Sequence, residues 1–268
     1  DPATTPLTPS DYTQPWDSLS AEEREKEILR MQIYSAMTDR VDQNLGRIIT
    51  QLEKTEKFEN TLIIFLSDNG ACSKSPTKFK GDLSGELGTI NSFPTLRRSW
   101  ANVSNTPLRN YKSDSYEGGI ATPMIVHWPQ GISQPGTINR EPCHIIDWMP
   151  TLMQLAGASY PGESKQKDIH PYDGISLSPT FTGQPLQRGK PLFYEYAGGA
   201  AIQDGNYKLV FASKQWELFD VSVDTSESKN IIDQHPEIAT RMKSEWATWY
   251  EEATGKPYPI KEKSPRQK

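Results

Sequence analysis

The chain has 268 residues and a formal net charge of −5, with 35% hydrophobic and 24% charged residues. That length suits one large domain or one plus a small one, and the negative balance argues against a general nucleic-acid binder. No apolar run approaches the roughly 20 residues that a membrane span requires.

Residues 1–19 hold four prolines among Thr, Ser and Asp and read as an extended surface segment. The chain opens on Asp1-Pro2 with neither Met nor a signal-peptide pattern, as expected of a processed protein or a piece of a longer one. Ser20-Ala21-Glu22-Glu23 fits a capping box. Ile28, Met31, Tyr34, Met37, Val41, Leu45, Ile48 and Leu52 then recur at spacings of three and four. They predict a helix to about Lys57 with one buried apolar stripe, its Met and Tyr serving as core filler.

The next stretch, TLIIFLSDNG (61–70), turns from a short apolar run to Ser67, Asp68 and Asn69. It reads as a strand buried on both faces, as in the parallel part of an α/β sheet. Ligands in such sheets lie beyond strand carboxyl ends, and a carboxylate beside an amide carbonyl offers two hard oxygens of the kind calcium or magnesium prefers. Asn69-Gly70 by itself equally describes a polar turn.

Residues 71–111 lack periodicity, which in a compact chain marks a functional or a disordered connection. From Lys74 to Lys112 seven basic residues (Lys74, Lys78, Lys80, Arg97, Arg98, Arg109, Lys112) face two acids, Asp82 and Glu86. Such a loop would draw an anionic substrate, or simply be a solvated charged segment. Asn102-Val-Ser104 is a glycosylation sequon. Cys72 and Cys143 form no disulfide framework or metal-ligand spacing; their pairing stays open.

Gly118-Gly119 permits close backbone approach just before a second buried strand, Met124–Trp128. His127 within that strand reads as a packed, hydrogen-bonded residue rather than a catalyst. Asp147 is expected to cap a helix from Trp148 to Ala156, with Met149, Leu152, Met153 and Leu155 facing in and Gly157 ending it. Tyr160–Lys190 reads as a linker. LFYEY (192–196), AAIQ (200–203), YKLVF (207–211) and WELFD (216–220), separated by turn residues, predict a small antiparallel sheet. A last helix from Pro236 to about Ala253 presents Ile238, Met242, Trp246 and Trp249 or Tyr250 to that sheet.

SDNG after a strand, the lysine of an LRxxK segment (108–112) and YEGG (116–119) before another strand resemble the second half of a sulfatase, in its arylsulfatase branch. YSAMTDRVDQNLGRIITQLEK, HIIDWMPTLMQLAGA, PYDGISLSP and AIQDGNYKLV…WELFDVSVDTSESKNI follow the same family in order. The resemblance implies an alkaline-phosphatase-like α/β fold, a mixed sheet flanked by helices and present here in part. Residues 1–185 would form the C-terminal half of that domain, and 186–268 a small antiparallel subdomain with its terminal helix.

It further implies that Asp68 and Asn69 ligate one Ca2+, that Lys112 contacts the substrate sulfate as the catalytic cation, and that the substrate is a sulfated small molecule or carbohydrate. A metal and a lysine near the bridging oxygen would match the charge that develops as a sulfate ester breaks. The family's formylglycine arises from a CxPxR motif, and neither Cys72 in CSKSP nor Cys143 in CHIID fits it. The nucleophile and the other half of the calcium ligands are therefore expected from a missing N-terminal half, without which the chain should be inactive. A periplasmic or secreted location carries over from the family. Two other readings stay open: a phosphatase or phosphodiesterase of the alkaline phosphatase superfamily, and a non-catalytic module retaining the fold.

Overall fold

The computed structural model describes Thr5, Leu7 and residues 13–75, 84–159 and 170–258. Lys78, Lys80 and Asp82 of the basic stretch, residues 160–169 of the expected linker and the basic tail from 259 onward lie outside the described residues. The chain forms two compact units, one of residues 1–43, 69–122 and 191–268, the other of 44–68 and 123–190.

Helix α1 (Ala21–Lys54) starts where the capping box places it. The Ser20 amide donates to the Glu23 carboxylate at 2.9 Å, and the Glu23 amide donates back to the Ser20 hydroxyl at 3.3 Å. The expected buried stripe is not found. Met37 is 61% and Val41 51% exposed, and Ile28, Tyr34 and Ile48 are exposed as well. The face that packs is polar. Arg30 is the buried residue of α1, donating to the Thr95 carbonyl at 3.0 Å and pairing with Glu27. The Trp100 indole donates to the Glu27 carbonyl. Hydrogen bonds made by Glu27 and Arg30 decide which side of this helix turns inward.

In the second unit, β1 (Ile63–Leu66) pairs antiparallel with β2 (Met124–His127), Ile63 opposite His127 and Leu66 opposite Met124. The strand is not buried on both faces. Leu62, Ile64, Leu66, Met124, Val126 and Trp128 pack on Trp148, Leu177 and Phe181, whereas Phe65 and Ile125 on the other face are exposed. His127 is likewise exposed, its ring 5.0 Å from that of Phe58, which corrects the expectation of a packed histidine. With two strands and one covered face, alternate side chains turn outward.

Helix α4 (Trp148–Leu155) buries Trp148, Pro150 and Thr151, while Met149 and Leu152 are exposed, contrary to the sequence reading. Asp147 does not cap it. Its fully buried carboxylate accepts from the His144 and Ile175 amides at 2.7 and 2.9 Å and pairs with Arg188, because an unpaired charge at that depth would be costly. Gly157, at φ +61°, ends the helix as expected. Leu177 and Phe181, read as linker, belong to this core.

In the first unit, β3 (Leu192–Tyr196), β4 (Gly199–Asp204), β5 (Tyr207–Ala212) and β6 (Gln215–Asp220) form an antiparallel meander in that order. Side chains alternate between its faces. Ala200, Ile202, Leu209, Phe211, Trp216 and Leu218 meet Ala239, Met242 and Trp246 of α5 (Pro236–Thr254). Ala201, Val210 and Phe219 on the opposite face meet Tyr116. Both faces of the small sheet are therefore covered, by α5 on one side and by the segment around Tyr116 on the other.

Candidate functional site

Asp68 follows the end of β1 by two residues and is exposed. The Ser67 amide before it donates to the Pro123 carbonyl at 3.3 Å, so the turn that carries Asp68 is tied to the start of β2. Asn69 opens the part of the chain that belongs to the first unit, and its side-chain oxygen is buried from solvent.

Within the first unit the backbone after Asn69 is knitted to the segment that bears Lys112. The Gly70 amide donates to the Gly119 carbonyl at 3.0 Å, the Lys112 amide to the Ala71 carbonyl at 3.1 Å, and the Gly118 amide to the Arg109 carbonyl at 2.8 Å. Asn105 locks the junction. Its side-chain carbonyl accepts from the Ala71 amide at 3.2 Å, while its Nδ2 donates to the Gly118 and Asn110 carbonyls at 2.8 and 3.0 Å.

Glycine is required at this crossing. A Cβ on Gly70 would lie 1.8 Å from the Gly118 carbonyl oxygen, and one on Gly118 would lie 2.2 Å from that of Asn110. Asn110 and Ser113 flank Lys112 at φ 63° and 78°, a left-handed conformation costly for a side-chain-bearing residue and often held at functional sites. The Gly70–Ala71 main chain, directly after Asn69, is thus brought against that of Lys112.

Residues 71–111 are not wholly irregular as read. They include α2 (Arg97–Ser104), which ends at Asn105 and delivers it to the crossing; the sequon Asn102 lies on this helix. Part of the basic charge is committed to structure. Arg109 pairs with Glu217 at 3.1 Å and lies 3.9 Å over the Tyr116 ring, and Arg97 is 3.8 Å from Glu27. Lys112 is half-buried. The Lys74 ammonium lies 5.8 Å over the Tyr196 ring, and the Tyr196 phenol is held below its ordinary value by hydrogen bonds from Ser113 and Lys74 and by the charges of Lys74 and Lys112. A pocket of about 300 Å³ opens there, lined by Arg109, Ser113, Asp114, Tyr196 and Ser213 among others.

Helix α3 (Glu117–Ile120) carries Gly118 and Gly119 and is fastened to the C-terminal sheet by buried charge. Lys208 of β5 is fully buried, with its ammonium 2.6 Å from Glu117 and 2.8 Å from the fully buried Glu227. The Glu117 amide also donates to Glu227 at 2.6 Å. Burial pushes the Glu227 carboxyl up to about 7, the Lys208 charge opposing and the Glu117 charge adding to the rise. For Lys208 burial alone would lower the value, and the two carboxylates over-ride it and raise it. The Tyr116 hydroxyl donates to Glu217, and desolvation and that contact raise its value. The sequence reading missed Asn105, Glu117, Lys208, Glu217 and Glu227. A lysine within the apolar run YKLVF was the available signal, since a strand covered on both faces can bury a charge only if it is paired.

For calcium the donor set fits in part. The Asp68 carboxylate and the Asn69 amide oxygen are hard oxygens on consecutive residues, against the about six to eight that calcium takes. Among the described residues no group of three or more His, Cys, Asp or Glu could hold a metal ion by itself. Cys72 and Cys143 are free thiols. No helix among the described residues is long and apolar enough to cross a membrane.

Residues 7–158 match the Sulfatase family and residues 111–251 the N-sulphoglucosamine sulphohydrolase, C-terminal family. An uncharacterized sulfatase of Schizosaccharomyces pombe is 34% identical over 91% of this chain and 47% of its own length. The arylsulfatase of Klebsiella aerogenes is 33% identical over 65% and 39%. Among solved structures, that of Ps i-CgsB in complex with k-i-k-neocarrahexaose superposes with a TM-score of 0.61 at 26% identity, covering 81% of this chain and 42% of that one. The chain thus spans about half the length, or less, of these relatives. Its mixed α/β elements, small antiparallel sheet and C-terminal helix take the alkaline-phosphatase-like architecture of those sulfatases, and the chain belongs to the sulfatase family.

Proposed function

We propose that these residues form part of a calcium-dependent sulfuric ester hydrolase of the arylsulfatase kind, supplying two metal ligands and one cation for the substrate sulfate. The observation that carries this reading is the backbone crossing that holds Gly70–Ala71, directly after Asn69, against Lys112. It ties the stretch that follows a residue offering a hard oxygen to a residue offering a mobile positive charge, the two things that match a sulfate ester.

Asp68 and Asn69 would hold the calcium, and when bound that ion supplies positive charge at the sulfate oxygens. Lys112 binds the sulfate and offers its ammonium to the bridging oxygen, where negative charge grows as the S–O bond breaks. The Asn105 bridge and the Gly118–Gly119 crossing keep the Lys112 backbone from drifting, so the ammonium needs little reorganisation. The remaining calcium donors and the nucleophile come from outside these 268 residues, since neither cysteine stands in a CxPxR motif. The apolar stripe left open on α1 suits a further layer of protein that would complete the site. The substrate is a sulfate ester of a small molecule or a carbohydrate, a class supported by the arylsulfatase relative and by the k-i-k-neocarrahexaose held by Ps i-CgsB.

The test is hydrolysis of 4-nitrophenyl sulfate and of a sulfated oligosaccharide by a family-length polypeptide containing these residues, with and without a calcium chelator. Activity lost on chelation and restored by calcium is expected, with none from the 268 residues alone. Hydrolysis of 4-nitrophenyl phosphate in preference to the sulfate would overturn the reading in favour of a phosphatase. No hydrolysis of either ester would favour a non-catalytic module.

A further inference from the structure

A buried cluster of charge lies on the face of the C-terminal sheet that covers α3, on residues with no assigned role. Lys208, Glu117 and Glu227 place one ammonium between two carboxylates, and Glu227 is also held at φ 51°. A buried charge cluster is seldom a net gain in stability over apolar packing of the same volume, so its geometry invites a purpose other than adhesion.

That geometry is directional. Glu117 is the first residue of α3, clamped by its side chain to Lys208 and by its amide to Glu227. The two residues that follow, Gly118 and Gly119, supply the carbonyls that receive Asn105 and Gly70, and the Gly118 amide reaches Arg109. Three residues beyond Arg109, Lys112 donates to Ala71. A second brace, Arg109 to Glu217, runs from the same sheet to the same loop. Every link from β5 to Lys112 is a hydrogen bond, an ion pair or a covalent step.

We infer that Glu117, Lys208 and Glu227 are positioning residues, through which the C-terminal sheet sets the place of the Lys112 and Gly70–Ala71 backbones. This rests on the proposed sulfate-binding role of Lys112 for its consequence in catalysis, but the mechanical link stands without it. The lysine on β5 and the carboxylate in the turn after β6 hold α3, and α3 holds both arms of the crossing. Loosening the cluster frees Lys112 without touching it.

The test has two arms. In the first, amide hydrogen exchange is followed in the wild-type chain, in Glu117→Gln and in the double variant Glu117→Gln/Lys208→Met, which removes both charges together should the single variant not fold. Exchange at Gly70, Lys112, Gly118 and Gly119 is expected to quicken about ten-fold or more, with the β4–β5 ladder unchanged. Unchanged exchange at those four amides, or a rise shared equally by the ladder, overturns the inference.

In the second arm, ester hydrolysis is measured in the family-length polypeptide. A fall in kcat/KM on the order of 10²-fold, with Lys208→Arg recovering most of it, supports the positioning role. A loosened loop with undiminished kcat/KM overturns it. A wild-type protein without sulfatase activity counts against the proposed function alone, and the exchange arm still decides the mechanical link.

Discussion

The main-chain amide of Lys112 donates to the carbonyl of Ala71 at 3.1 Å, so a residue at the end of a long basic loop lies against the chain that has just left the SDNG turn. Forty-one positions of sequence separate the two. The contact makes a single crossing of what would otherwise be two unrelated polar segments, and it is the relationship on which the role of Lys112 turns.

Replacing Lys112 by alanine removes the ammonium while leaving the backbone mesh intact. In the family-length polypeptide kcat/KM for an aryl sulfate is expected to fall about 10²–10³-fold, as on loss of one fixed donor to developing charge. Thermal unfolding should be nearly unchanged, because the side chain is only half-buried. Steady-state kinetics with a parallel melting curve checks both, and undiminished kcat/KM removes Lys112 from the chemistry.

The buried cluster gives a stability prediction of opposite character. Lys208→Met alone leaves Glu117 and Glu227 facing each other with no cation between them, and is expected to cost about 3–5 kcal/mol. Adding Glu117→Gln and Glu227→Gln should recover much of that loss, since the uncompensated charge goes with them. Urea unfolding of the single and triple variants measures the difference. Equal loss in both would mean that Lys208 acts through packing alone.

Glu227 also makes stability depend on pH. Its carboxyl is raised to about 7 in the folded protein, above the ordinary 4.5 at which it titrates in the unfolded chain. Between those values the native state holds a proton that the unfolded state has lost, so this contribution is complete below about pH 4.5 and declines as pH rises to about 7. Glu227→Gln is expected to flatten that part of the profile. Midpoints of urea unfolding at several pH values test it, and an unaltered slope in the variant would assign the dependence elsewhere.

Two glycines make a paired test of the crossing. Gly70→Ala places a methyl 1.8 Å from the Gly118 carbonyl oxygen, whereas Gly46→Ala on α1 meets nothing within 4 Å. The first is expected to destabilise by about 1–3 kcal/mol or more through overpacking against backbone. The second should stabilise by roughly 0.5–1 kcal/mol through the lower helix cost of alanine. Calorimetric melting of the two variants decides between this and a crossing loose enough to accept a methyl.

Much of this was legible in the chain itself. The capping box at Ser20, the apolar runs of β1 and β2, the four strands after Pro191 and the amphipathic α5 are local patterns, set by propensity and periodicity and found where they were expected. So were the motifs: SDNG, LRxxK and YEGG marked the family, and they marked Asp68, Asn69 and Lys112 as candidates.

Other features depended on which surface each element met. The apolar stripe of α1 stays open while Glu27 and Arg30 turn inward, because hydrogen bonds with Trp100 and Thr95 outweigh periodicity there. Asp147 abandons the cap for Arg188 and two distant amides. Asn105, Glu117 and Glu227 carry no local signal of partnership, since their partners lie 5 to 110 residues away, and Lys208 within YKLVF signals that a buried charge needs pairing without showing which residues pair it. Composition, helix and strand periods and motif spacing are properties of neighbours along the chain, and these the sequence determined by itself. The crossing of Gly70–Ala71 with Lys112, and the charges that hold it, join residues far apart in sequence, so only the packed tertiary structure could decide them.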